Sequence, residues 1–282
     1  MKKNAIVIDS TVYLTKEQIE ENELTVVSLN VVEGDISKRE LDVDNDYIFS
    51  RQDAGASFTT SQPSPGEFLQ RYEELISKGY EKIFVVCLSK NISGTFQSAN
   101  LAKNMLVDPE KVYIFDTMLA AFGTEMIAEQ VIEMVNQDKD AEEIIKRIDF
   151  IISTSGQMFT VENLFSLVKG GRISNTSAAI GTVLRIKPII KIVNGKLEVV
   201  NKERTYKKVH KYMLSNVTKD SEGLKKITFR ITSHNSSESA IQLKEVIEES
   251  FPNSDIVFTN YLGPVFCIHI GKKGYGISWF AE

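Results

Sequence analysis

The sequence predicts an α/β fold: an N-terminal, mostly parallel sheet flanked by helices, followed by a smaller C-terminal α+β region with a mixed or antiparallel sheet. Three observations carry that expectation. Apolar runs of strand length in the first half alternate with segments of helical spacing, the pattern of strand-helix-strand units. Polar residues gather where those runs end, at Asp9-Ser10-Thr11, Ser89 and Asp116-Thr117. After about Thr154 the alternation gives way to hairpin and antiparallel signals.

Ala5 to Ile8 opens the chain as a buried strand, and Lys16 to Asn22 follows with helical spacing. Val26 to Val32 reads as one continuous strand. The helix after it has the best specified start, in Thr59-Thr60-Ser61-Gln62-Pro63-Ser64-Pro65-Gly66-Glu67-Phe68. There Pro63 biases Gln62 toward extended backbone, Ser64 can cap the helix, Pro65 fits its first position and Glu67 completes a capping box. This helix runs from Ser64 to Lys78. The strand Ile83 to Leu88 ends in Ser89-Lys90-Asn91-Ile92, and Ser93-Gly94-Thr95 opens a helix that continues to Leu106. Its first backbone N–H groups have no helical partner, so the segment is an anion cradle. Val112 to Phe115 is the next strand and Ala120 to Val135 the next helix. In an open parallel sheet the carboxyl ends of the strands line the ligand crevice, so the three polar clusters converge.

In the second half a helical stretch through Glu162 to Val168 stops at Gly170-Gly171, and a further helix, Thr176 to Leu184, leads to a strand at Pro188. Ile189 to Val193 and Leu197 to Lys202 flank Asn194-Gly195, a strong hairpin signal. Ile227 to Thr232 with the helix Glu238 to Ser250, then Ile256 to Phe258, form strand-helix units. Val265 to Ile270 and Ile277 to Phe280 close the chain as strands. The domains expected from this pattern are residues 1–155 and 156–282, packed closely because no repeat or Pro/Ser-rich linker separates them.

With 282 residues, 42% hydrophobic and 25% charged, the composition is that of an ordinary soluble globular protein, and disorder is not expected. The start reaches Asp9 after four apolar positions, too few for a signal-peptide core. No run approaches membrane-spanning length. Cys87 and Cys267 sit inside apolar runs with no metal-ligand spacing and read as reduced core thiols, which fits a cytoplasmic protein. Three scattered histidines without carboxylates at metal spacing argue against a zinc site. The net charge of -5 argues against a nucleic-acid partner. Its distribution is uneven: Arg185 to Arg230 holds thirteen Lys and Arg against four Asp and Glu, a local +9 that leaves -14 elsewhere. That stretch is either a solvated face or a docking surface for an acidic partner or, transiently, anionic lipid headgroups.

Other residues carry two readings each. Ser64 and Ser93 are helix caps or, for Ser93, an anion ligand. Gly170-Gly171-Arg172 either ends a helix with Arg172 exposed, or places Arg172 at a functional surface. His269, between Ile268 and Ile270 in an expected strand, is a satisfied core histidine or a ligand contact, while His210 and His234 lie among polar residues and are expected to be exposed.

The ordered set of motifs resembles the DegV family over nearly the whole chain, about residues 3–281. It comprises Asp9-Ser10-Thr11, the Thr-Ser-Gln-Pro segment from Thr60, the Ser-Gly-Thr segment from Ser93, Lys169-Gly170-Gly171-Arg172-Ile173-Ser174, Ile186-Lys187-Pro188-Ile189-Ile190, and Gly263-Pro264-Val265 followed by His269 and Gly271. The resemblance implies a parallel-sheet domain joined to a smaller antiparallel-sheet domain, with a long-chain fatty acid buried between or within them. It places Thr60 and Ser93 on the carboxylate, with Ser61, the Gly94 amide and His269 as neighbours. In family members that serve as the fatty-acid-binding subunit of a bacterial fatty acid kinase, the residue matching Arg172 engages the kinase or the transferred phosphoryl group, and Lys202 and Arg204 are further candidates for that contact. The chain departs from the family pattern at Ala121, where a second serine is usual, and at Gly271-Lys272-Lys273-Gly274, which replaces a Gly-Pro-Gly type turn.

The expectation is a carrier with no catalytic residues and no cofactor beyond a bound fatty acid, presenting its carboxylate to a separate kinase. No Gly-x4-Gly-Lys-Ser/Thr loop or kinase signature is present, so the chain is not expected to bind ATP unaided. Two rivals stand beside it. One is a serine hydrolase using Ser93 or Ser10 with His269 and Asp116 or Asp9, although no Gly-x-Ser-x-Gly elbow surrounds any serine. The other is a structural or regulatory protein that holds lipid only as a folding ligand.

Overall fold

The computed structural model describes residues 3–162, 164–174, 186–235 and 237–282. The described residues divide into two compact units, Met1–Asp149 and Phe150–Glu282.

In the first unit the chain runs through β1 (Asn4–Asp9), α1 (Lys16–Glu21), β2 (Thr25–Val27), β3 (Asn30–Glu33), β4 (Ile36–Arg39), α2 (Asn45–Asp53), β5 (Phe58–Ser61), α3 (Pro65–Ser77), β6 (Lys82–Cys87), α4 (Thr95–Asn104), β7 (Val112–Asp116) and α5 (Phe122–Asn136), and α6 (Ala141–Ser153) leads across the boundary. Four strands form a parallel sheet of order β2-β1-β6-β7. Alternation along the central strands serves both faces: Ala5, Val7, Ile83, Val85 and Cys87 pack with Phe68 and Tyr72 of α3 and Ala99 and Ala102 of α4. Ile6, Ile8, Phe84 and Val86, equally buried, point the other way, and α5 packs on β1 and β6. This is the α/β sheet that the apolar runs predict.

The expected continuous strand Val26 to Val32 is instead two strands in two sheets. β2 pairs with β1, and β3 turns away into an antiparallel sheet of order β4-β3-β5. The reason is tertiary: at the break the Leu29 amide donates to Ser10 Oγ (2.9 Å) and the Leu29 carbonyl accepts from the Glu40 amide (2.8 Å), so these groups leave the ladder already paired. α3 begins as its sequence dictates, with Ser64 and Glu67 forming a complete capping box and Pro65 in the first turn.

The second unit contains β8 (Ser155–Thr160), α7 (Phe165–Lys169), β9 (Lys187–Val193), β10 (Lys196–Glu203), α8 (Tyr206–Asp220), β11 (Ile227–Ser233), α9 (Glu238–Ser250), β12 (Asp255–Thr259), α10 (Pro264–Ile270) and β13 (Tyr275–Ala281). Its sheet has the order β10-β9-β8-β13-β11-β12, antiparallel except for the β11–β12 pair. Asn194 (φ 50) and Gly195 (φ 76) both adopt positive φ, the two-residue turn that Asn-Gly predicts. Trp279, Phe229, Ile231 and Ile277 of the sheet pack with Val209, Met213 and Val217 of α8 and Leu243 and Ile247 of α9. Cys87 and Cys267 are buried free thiols.

Two further expectations are corrected here. The segment Val265 to Ile270 is the helix α10, not a strand: Gly263-Pro264 sets a helix entry with Pro at the first position, and a short apolar run does not by itself distinguish the two. The helical period puts the two least buried residues, Phe266 and His269, three apart on one stripe. His210 is not exposed. It lies on the inner face of α8 with Val209 and Met213, bonds the Tyr275 hydroxyl at 2.9 Å, and burial depresses its pKa to about 4. The expected helix Thr176 to Leu184 lies outside the described residues.

Candidate functional site

Chain order reverses between β1 and β6, since β1 is followed on one side by β2 and on the other by β6. Ligands of open α/β sheets bind at the carboxyl end of such a switch point. Two of the polar clusters meet at this one. Asp9 ends β1 and is fully buried, its Oδ2 accepting from the Leu88 amide (2.8 Å) and its Oδ1 from the Thr11 amide (2.9 Å) and hydroxyl. Burial pushes the Asp9 carboxyl above its ordinary pKa, against the lowering effect of those three hydrogen bonds. The Leu88 amide is thereby fixed, and with it the loop that follows: Ser89 N donates to Leu119 O, and Ile92 N and Ser93 N both donate to Ser89 O.

That loop delivers Ser93 and Gly94 to the N-terminus of α4. Ser93 is half-buried, and its Oγ lies 2.9 Å from the buried Thr95 hydroxyl and 3.4 Å from the Thr95 amide. Gly94, not Ser93, holds the N-cap position of α4 and no side chain caps that helix, which corrects the helix-cap reading of Ser93; its hydroxyl stands one residue earlier, at the crevice. Gly94, at φ -73, has no conformational need to be glycine. Its need is spatial: a Cβ there would lie 2.9 Å from Cδ of Gln62. Gln62 follows β5, whose Thr60 and Ser61 pair with Val31 and Asn30 of β3 and are half-buried. The Thr60–Gln62 strand end thus abuts the Ser93–Gly94 helix start. Sequence patterning puts the two motifs in the same crevice only by inference; the close approach of Gln62 to Gly94 is the contact that joins them.

In the second unit the structure brings Arg172 and His269 together. The Gly170-Gly171-Arg172 segment closes α7 in a Schellman arrangement, Arg172 N to Leu167 O (2.9 Å) and Gly171 N to Val168 O (2.9 Å), with Gly171 at φ +73. Gly170 is small for another reason, because a Cβ there would meet the His269 imidazole at 3.1 Å. Arg172 is partly buried rather than exposed, and its guanidinium donates to the Gly170 carbonyl. Burial lowers its pKa; the lowering of the His269 pKa to about 4 comes first from burial and then from the Arg172 charge. His269 is thus neutral at pH 7. Lys202, near the end of β10, and Arg204, just beyond it, are exposed and stand apart from this pair in the sequence of elements.

The alternative hydrolase constellation finds no support among the described residues. The Ser10 hydroxyl donates to Glu40 and accepts from the Leu29 amide, while the Asp9 oxygens are taken by Thr11 and Leu88. Asp116 accepts from the Lys90 and Met118 amides and pairs with Lys90 Nζ at 3.3 Å. Among the described residues no group of three or more His, Cys, Asp or Glu side chains could hold a metal ion, and no helix is long and apolar enough to cross a membrane.

Sequence reasoning missed Gln62 and Glu40. Gln62 drew notice for its backbone before Pro63 and as part of the Thr-Ser-Gln-Pro motif, with no role for its side chain. Glu40 lies in a stretch without apolar periodicity, where nothing signals that its carboxylate is buried (3% exposed).

Comparison with known proteins places these features in a wider set. Residues 3–282 match the profile of the uncharacterised proteins of the DegV family. A DegV domain-containing protein of Listeria innocua is 32% identical over 283 residues, covering 99% of this chain and 98% of the relative. A solved DegV family protein from Thermus thermophilus, described by its fatty acid binding, superposes with a TM-score of 0.89 at 26% identity, over 99% of this chain and 100% of that one. DegV of Bacillus subtilis, described as a fatty acid binding protein, superposes at 0.85 with 29% identity over 100% of both chains.

Proposed function

The chain belongs to the DegV family, and from that premise we propose that it binds a long-chain fatty acid and presents the carboxylate to a separate kinase for acyl phosphate formation. The observation that carries the reading is the junction of Thr60–Gln62 with Ser93–Gly94 at the sheet's switch point. It offers an anion hydroxyl and amide donors at a helix N-terminus, groups that can hold an anion without burying a cation beside an acyl chain. Thr60 and Ser93 hold the carboxylate in this proposal, with Ser61 and the Gly94 amide as neighbours. Burying about 12 to 14 methylenes at ~0.8 kcal/mol each contributes ~10 kcal/mol before ordering costs. Sub-micromolar affinity then needs no salt bridge. Fatty acid binding by relatives of the same fold and of 26% and 29% identity supports the same chemistry here.

Native mass spectrometry of freshly purified protein, before and after denaturation, tests the binding step: a co-purified fatty acid is the expected result, and its removal lowers the melting temperature by mass action. Protein that is lipid-free as purified and shows no thermal shift with any long-chain acid rejects the reading.

The kinase step rests on Arg172, whose guanidinium is held at the end of α7 beside His269. We assign it to the transferred phosphoryl group or the kinase, with exposed Lys202 and Arg204 as a docking surface for that acidic partner or, transiently, for a membrane surface. Arg172→Ala is expected to leave fatty-acid affinity within about threefold while cutting kinase-dependent acyl phosphate formation by at least about tenfold, with Arg172→Lys recovering only part. The assay is phosphorylation by a fatty acid kinase at matched lipid loading. Wild-type rates from the alanine variant would leave Arg172 as a helix terminator.

A further inference from the structure

The Asp9-Ser10-Thr11 motif lies at the crevice, yet nothing in the proposed function uses it. Its geometry is two-sided. Asp9 holds the Leu88 amide and so the base of the Ser93 loop. The next residue faces the other half: Ser10 Oγ donates to Glu40 Oε2 (2.5 Å) and accepts from the Leu29 amide, and Ser10 N donates to Val27 O. Glu40 follows β4 directly, its amide donates to Leu29 O, and its Oε1 accepts from the Tyr13 hydroxyl (3.0 Å). Leu29 precedes Asn30, the residue paired with Ser61, one step from the Val31–Thr60 pair. The three-stranded sheet that carries Thr60 is therefore clamped to the parallel sheet at the point where the strand Val26 to Val32 breaks. Ser10 and Glu40 are 4% and 3% exposed, so these bonds are shielded from water and hold one geometry.

We infer that Ser10 and Glu40 are positioning residues of the carboxylate cradle: they set where Thr60 stands relative to Ser93, while neighbouring Asp9 sets Ser93. The inference rests on the fatty-acid reading above. A hydroxyl misplaced by a fraction of an ångström loses much of a charge-assisted hydrogen bond, and the clamp is what prevents that displacement.

The experiment is a double-mutant cycle read as the dissociation constant of a fluorescent long-chain fatty acid. Ser10→Ala is expected to weaken binding about tenfold in the wild-type background but by less than about twofold once Thr60 is alanine, because its effect passes through a hydroxyl that is gone. In the Ser93→Ala background the effect remains about tenfold. Tyr13→Phe, which removes a single donor to Glu40, gives about threefold with the same dependence on Thr60, and decides the matter should Ser10→Ala not fold. A merely structural clamp would lower the melting temperature and leave affinity alone, or act equally in both backgrounds; either result overturns the inference. Wild-type protein that binds no fatty acid overturns the underlying reading instead.

Discussion

Thr60→Ala and Ser93→Ala are each expected to weaken fatty-acid binding by about 1.5 to 3 kcal/mol, the worth of a hydrogen bond to a charged group, or about tenfold to about 150-fold in affinity. The two variants differ in what else they disturb. Thr60 is half-buried at the end of β5, in a ladder whose backbone pairing with Val31 does not involve the hydroxyl. Ser93 also bonds the buried Thr95 hydroxyl, so its alanine variant carries an additional stability cost of about 1 kcal/mol, that of a lost neutral hydrogen bond. Affinity measured with a fluorescent fatty acid, together with urea unfolding of the lipid-free protein, separates the two effects. Unchanged affinity in the double variant would move the carboxylate elsewhere.

Gly156→Ala is expected to destabilise the second unit by about 3 kcal/mol, the upper end of ordinary overpacking costs. Gly156 of β8 lies directly opposite Trp279 of β13, and a Cβ on it would fall 2.1 Å from Cζ2 and 2.5 Å from Cε2 of the indole. Trp279 is fully buried among Phe229, Ile231, Met213 and Leu243, so the ring has no space to retreat. It is also the single tryptophan of the chain, and its emission follows unfolding of this unit without a label. Gly66→Ala is the matched control, since a Cβ there meets only Ser64 Oγ at 3.9 Å. Equal stabilities for the two variants in urea would contradict the packing described.

Elements fixed by local chemistry were legible in the chain itself. The α3 start needed only Ser64, Pro65 and Glu67, and the β9–β10 hairpin only Asn194-Gly195. Buried parallel strands announced themselves as unbroken apolar runs. Tertiary decisions were not legible. Val26 to Val32 is apolar enough for one strand, and it is broken in two where Leu29 bonds Ser10 and Glu40, both outside the run. His210 has lysines for sequence neighbours, but the helical period of α8 sends Lys207, Lys208 and Lys211 outward and His210 inward, and that helix was itself unread. Arg172 was rightly placed at a helix end, yet its partial burial depends on packing between α7 and α10, the latter expected as a strand. In the candidate site, hydroxyl and glycine identities were readable; the reason for Gly94, the Gln62 side chain across from it, was not.

The bond between the Leu88 amide and Asp9 has a kinetic consequence. It spans 79 residues, and β1 cannot find β6 until everything between them has been gathered in. Closing a loop of that length costs ~4 kcal/mol of chain entropy before any contact rewards it, which marks the β1–β6 register as a late event for the nascent chain. The cradle proposed for a carboxylate is assembled only on top of that register. A ligand that recognises the proposed cradle thus finds nothing to grip on a partly folded chain: it leaves the rate of folding where it was and slows unfolding in proportion to its occupancy, so loaded protein outlasts empty protein by persistence rather than by speed of assembly.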